Sequence, residues 1–126
     1  MTILETAKDI LLKNQTEISK ANNFDDLHEI IIKALNGIGG IGPLYCYDAA
    51  CLIGARLGKL PEKIYLHAGT KKGAKNMAIN VWSKKYIEMK DLPCCEIFKR
   101  ECLKPYEIED FLCIYKEQLA LIFFKK

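Results

Sequence analysis

Apolar positions recur at intervals of three and four along most of this chain, the spacing that places side chains on one face of an α-helix. Leu4, Ala7, Ile10, Leu11 and Ile18 predict an amphipathic helix over 4–21, interrupted by Asn14. Phe24, Leu27, Ile30, Ile31, Ala34 and Leu35 predict a second, with Asp25 and Asp26 beside its positive end and Gly37 as its C-terminal stop. A third, over 43–57, opens at Pro43, closes at Gly58 and is apolar on nearly every face, as a central helix would be. Thr70 is a good N-cap residue and predicts a helix through about Ile79, which Gly73 weakens. Pro93 predicts a short helix carrying Cys94 to Cys102. Pro105, followed by Glu107, Glu109 and Asp110, opens a terminal helix on which Ile108, Phe111, Leu112, Tyr115 and Leu119 share a stripe. Between these, Ile64, Tyr65 and Leu66 read as strand or loop, Pro61 marks a connection, and 81–91 gives mixed signals.

The elements add up to an all-α chain: a single-domain helical bundle of five or six helices over 1–126, with a possible short extended segment near Tyr65. A length of 126 residues suits one core that buries roughly two thirds of the surface of the unfolded chain. Half the residues are hydrophobic and 28% are charged, which excludes disordered and fibrous classes. Glu5, Lys8, Asp9, Lys13, Glu17 and Lys20 interrupt the first thirty residues, so no signal-peptide core is expected there. No run reaches the roughly twenty apolar residues of a membrane span, and a cytoplasmic location with no membrane partner is the expectation. In that setting the six cysteines, 46, 51, 94, 95, 102 and 113, are expected as reduced thiols, with Cys102 and Cys113 facing the core of the terminal helices.

A net charge of +3 tolerates a polyanionic partner without demanding one, so distribution decides. The stretch from Asn36 to Asp48 reads NGIGGIGPLYCYD between two predicted helices. Glycine allows a positive φ and close backbone approach, and Pro43 suits the first helical position because it has no N–H to satisfy. A tight turn opening a helix leaves amide donors free to meet an anion such as phosphate.

Residues 31–58, with an apolar helix, the turn Gly39-Gly40-Ile41-Gly42 and a following apolar helix, resemble the helix-hairpin-helix motif of many DNA-binding and DNA-repair proteins, the motif spanning about 24–58. The resemblance implies phosphate contacts from Gly40, Gly42 and the amides near Leu44 and Tyr45, sometimes with a monovalent cation held by hairpin carbonyls. It departs from the usual pattern after Gly42, where Pro43, Leu44 and Tyr45 stand in place of a basic residue. The glycosylase superfamily built on this motif also implies a catalytic Asp about twenty residues beyond the hairpin and, in some members, a Lys at its edge. The segment LPEKIYLHAGT has no Asp, only Glu62 and His67, and the hairpin has no Lys. Some members carry a four-cysteine cluster loop; Cys95 and Cys102 match one of its spacings, but the close cysteine pair that should follow is missing.

Two further places carry candidate chemistry. In HAGTKKGAK, a helix start beside Lys71, Lys72 and Lys75 suits a second phosphate contact, and equally a solvated lysine face; His67 is a candidate base or a structural donor. Asp48 lies within the apolar third helix and is expected as a buried carboxylate that needs a partner from another element, with catalysis as the alternative. Three functions follow as expectations: a DNA-binding or RNA-binding domain that contacts phosphates, a glycosylase or lyase, and a protein-interaction or self-associating module in which the Phe123-Phe124 end packs on a partner or a second copy.

Overall fold

The computed structural model describes residues 2–93 and 95–124, with the backbone alone at 124. The architecture is all-α, as the patterning predicts: eight α-helices and one two-stranded ribbon among the described residues. The chain divides into two compact units, Met1–Pro61 and Glu62–Lys126, and the boundary falls at the connection that Pro61 marks.

The first unit holds α1 (Ile3–Lys13), α2 (Gln15–Ser19), α3 (Phe24–Ala34) and α4 (Pro43–Leu57). Thr2 caps α1, its hydroxyl oxygen accepting the Glu5 N–H at 3.1 Å. The single helix expected over 4–21 is two helices because Asn14 competes for the helix's carbonyls. Its side-chain amide donates to the Ile10 carbonyl at 2.8 Å, and its backbone N–H donates to Ile10 and Leu11. Asn23 caps α3 by accepting Asp26 N–H at 2.8 Å, while the Asp26 carboxylate reaches back past the cap to accept Asn22 N–H at 3.0 Å. Helices α3 and α4 pack together. Phe24, His28 and Tyr47 form a ring trio across them, with centroids 5.7 to 5.9 Å apart.

One expectation is overturned here: α4 is not central. It buries Cys46, Tyr47, Ala50 and Gly54, a single stripe, and exposes Leu44, Leu52 and Leu57, with Leu52 77% exposed. Its main neighbour is α3, and one neighbour needs only one apolar stripe.

The second unit runs β1 (Ile64–Tyr65), α5 (Ala68–Asn76), β2 (Tyr86–Ile87), a 3-10 turn Met89–Asp91, α6 (Cys95–Arg100), α7 (Pro105–Ile114) and α8 (Lys116–Phe124). The strands pair antiparallel with Ile64 opposite Ile87 and Tyr65 opposite Tyr86, so the segment near Tyr65 is extended. Alternation sends both isoleucines into the core and puts the tyrosine pair on the other face. The core gathers Ile64, Ile87, Ala74, Met77, Ile108, Leu112 and Leu119, with α5 packed on α7 and α8.

Close approach of α5 to α7 depends on Gly73. The position its Cβ would occupy is taken by the Leu112 carbonyl, so the residue expected to weaken α5 is the one that lets it pack. Pro105 opens α7 as predicted, with the Glu107 carboxylate accepting Lys104 N–H at 2.9 Å. The terminal helix is interrupted at Tyr115, where side chains again take helix carbonyls: Lys116 Nζ donates to Cys113 O at 3.1 Å and Asn76 Nδ2 to Lys116 O at 2.8 Å. The helix expected from Pro93 to Cys102 is shorter, and Cys102 ends it in a left-handed conformation (φ 57°) that turns Leu103 N–H back to the Phe98 carbonyl at 3.1 Å. Cys94 lies outside the described residues.

Candidate functional site

The turn between α3 and α4 is exposed from Asn36 to Pro43, apart from half-buried Ile38 and Ile41. Gly37 (φ 85°) and Gly40 (φ 88°) take the left-handed conformation that reverses the chain. The left-handed φ is what asks for glycine at position 40; the exposed Ile3 side chain, whose Cδ1 sits 2.8 Å from the Cβ position, can swing aside. Gly39 and Gly42 differ: neither has a positive φ, and nothing lies within 4 Å of the Cβ position of either. Gly42 is the N-cap of α4 and brings no side chain to its first-turn amides. Pro43 has no N–H, and the helix's first backbone bond runs from Cys46 N–H to Gly42 O at 3.3 Å. The Leu44 and Tyr45 amides precede that bond, among the donors a helix cannot satisfy internally. Leu44 is exposed and Tyr45 half-buried. A 15-residue helix therefore presents its positive end beside open space, an arrangement that favours an anion.

Lys71, Lys72 and Lys75 are exposed on α5. Lys72 Nζ lies 3.9 Å from Glu117 Oε1, but both side chains are so solvated that the pair constrains little. Thr70 does not cap this helix, contrary to expectation. The N-cap is His67, and Thr70 is buried a turn further in, donating its hydroxyl to Glu109 Oε1 at 3.1 Å. The reason is packing: Thr70, Gly73, Ala74 and Met77 form the stripe that α5 buries. The hairpin belongs to the first unit and the lysines to the second.

Of the candidate acids and bases, Asp48 is exposed, which corrects the buried carboxylate expected from its apolar neighbours. It falls off the stripe of Cys46, Tyr47 and Ala50, so solvent carries its charge. Glu62 is exposed. His67 is half-buried, its Nδ1 3.6 Å from Glu109 Oε1. Glu109, like His28, is a buried polar residue that sequence reasoning passed over as a candidate. The signal was present, since Glu109 sits between Ile108 and the stripe residue Leu112 on the apolar side of α7, where a carboxylate needs donors.

Cys46, Cys95, Cys102 and Cys113 are free thiols. Burial pushes the Cys46 thiol above the ordinary thiol range, whereas Cys102, expected in the core, is exposed at the end of α6. Among the described residues no three His, Cys, Asp or Glu side chains gather closely enough to hold a metal ion, and no helix is long and apolar enough to cross a membrane. No family model matches the chain, and neither a curated protein nor a solved structure matches it.

Proposed function

We propose that this protein binds nucleic acid through the sugar–phosphate backbone, using the Gly39–Gly42 turn and the first amides of α4. The observation that supports the reading most is the N-cap of α4. Gly42 is demanded neither by φ nor by space, and it leaves the Leu44 and Tyr45 amides without a side-chain acceptor. Glycine caps a helix only a few tenths of a kcal/mol less well than serine or aspartate, and here it leaves the first-turn amides open to an external acceptor. A phosphate oxygen supplies one, and the positive helix end favours its charge. The exposed backbone of Gly39 and Gly42 also leaves room for a monovalent cation between carbonyl oxygens and a phosphate. The turn itself carries no carboxylate or lysine, so the proposal is binding without chemistry on the base.

Lys71, Lys72 and Lys75 add charge from the second unit as a contact in their own right. With about three neutralised phosphates, affinity for DNA should fall roughly 40-fold between 50 and 200 mM salt. Fluorescence anisotropy with labelled single-stranded and duplex DNA, and with structured RNA, measures that slope. A flat salt response, or no binding at the lowest salt, removes the proposal.

A further inference from the structure

The strongest exposed feature outside the hairpin is the short run Trp82-Ser83-Lys84-Lys85-Tyr86. All five residues are exposed, while Val81 and Ile87 on either side are buried in the core of the second unit. Trp82 is 86% exposed, although tryptophan is among the most buried residue types on average. Its backbone is fixed by a turn: Trp82 N–H donates to Asn80 Oδ1 at 3.1 Å and Lys84 N–H to Val81 O at 3.2 Å, with Ser83 left-handed (φ 58°) between them. The run then enters β2, and Leu66 N–H holds Lys85 O at 2.8 Å.

The ribbon adds flat surface and charge. Tyr65 and Tyr86 are cross-strand partners with ring centroids 6.2 Å apart, and Lys63 Nζ lies 4.3 Å from the centre of the Tyr86 ring. An open groove of about 510 Å³ is lined by Lys84, Lys85, Tyr86, Glu88 and Asp91, among others. Its two acids are engaged locally. Asp91 accepts Glu88 N–H at 2.9 Å, and Glu88 accepts the Asp91 N–H and meets Lys90 Nζ at 3.2 Å. Lys84 and Lys85 stand exposed beside Trp82 and Tyr86 and bring positive charge to that run.

We propose that this face is a stacking platform for unpaired bases of single-stranded nucleic acid, with Trp82 and Tyr86 meeting base faces and Lys84 and Lys85 meeting the phosphates. It takes the polymer class from the hairpin reading and adds the strand type. Exposed aromatic rings interleaved with lysines match the two repeating chemistries of a single strand, a π-face and a phosphate at every nucleotide. A duplex keeps its base faces stacked internally and offers Trp82 nothing flat to meet.

Trp82 is the only tryptophan, so its fluorescence reports this site directly. Titrating the full chain at low salt with oligothymidylate of about twelve nucleotides, within the usual site sizes, should quench that emission to saturation. By anisotropy, Trp82→Ala should bind the same labelled strand about tenfold more weakly, while Trp82→Phe stays within about threefold, the difference being the stacking surface. Circular dichroism checks that both variants fold, as an exposed site predicts. Salt-dependent binding of oligonucleotides without quenching overturns the platform and leaves the hairpin reading standing; no binding by any oligonucleotide removes both. Equal quenching by inorganic polyphosphate reduces the site to charge alone and refutes stacking. Quenching by phosphatidylserine-containing vesicles but not by oligothymidylate assigns the face to a membrane surface and also overturns it.

Discussion

Two pairs of glycines, one pair in each unit, serve opposite ends. In the first unit, Gly39 and Gly42 stand in open space, where a methyl group would touch nothing within 4 Å. In the second, Gly69 and Gly73 stand where a methyl group would meet Cys113 Sγ at 2.5 Å or run into the Leu112 carbonyl. One pair keeps backbone reachable from outside, and the other lets two helices touch. The same residue type therefore marks a candidate ligand surface in a turn and a packing contact inside a helix, and only the occupant of the missing Cβ position separates the two.

The largest expected effect tests the packed side of this comparison. Gly73→Ala drives a carbon into a backbone oxygen that no rotamer change can move, and should cost about 3 kcal/mol. Gly39→Ala, in open space with an ordinary φ, should change stability by less than about 1 kcal/mol. Urea titration of both variants measures the contrast. A Gly73→Ala protein as stable as the parent would mean that α5 and α7 are not held as closely as the comparison requires.

This contrast also locates what a one-dimensional pattern conveys. Helix starts at Asn23, Pro43 and Pro105 and the stop at Gly58 follow from local chemistry, because capping and the missing proline N–H act within a few residues. The breaks at Asn14 and Tyr115 were not legible in full, since side-chain amides and ammonium groups capture carbonyls that a periodic stripe assumes are helical. The packing role of Gly73 and the true position of Thr70 are not legible for one reason: each is defined by α7, some forty residues away in sequence, which supplies Leu112 O and Glu109 Oε1. Asp48 was misread because nearly all-apolar composition concealed which single stripe α4 would bury. The Trp82 ribbon escaped because its strands are two residues each, too short for alternation to register.

A smaller effect sharpens the open side. Gly42→Asp places a carboxylate where the Tyr45 and Leu44 amides point outward, mimicking the acceptor proposed for that site. Folding should be unchanged or improved by a few tenths of a kcal/mol, because aspartate caps slightly better than glycine. Affinity for DNA should fall about tenfold, since the new charge both occupies the amides and repels phosphate. Stability and binding then move in opposite directions, which a purely structural turn does not allow. A variant that binds like the parent would place Gly42 with the packing glycines in kind, required by the chain and not by a ligand.

The smallest effect concerns two cysteines that reproduce the contrast between open and packed positions. Cys46 lies on the buried stripe of α4 and Cys102 in solvent at the end of α6. Burial disfavours the Cys46 thiolate and raises its pKa in the folded chain, while in the unfolded chain the thiol titrates near about 8.5. The sign follows from linkage: with the folded value above the unfolded one, the stabilisation is complete below the unfolded pKa and is lost as pH rises through the folded value. Stability should therefore decline as pH rises past the unfolded thiol's pKa, and Cys46→Ala should remove that part of the decline. Because the thiolate is the reactive form, a maleimide at neutral pH should modify Cys102 well before Cys46, which mass spectrometry of the labelled peptides resolves. Equal labelling of the two would mean that α4 opens readily enough to expose its buried stripe, and the N-terminal amides of that helix would then lack the fixed geometry that phosphate binding needs.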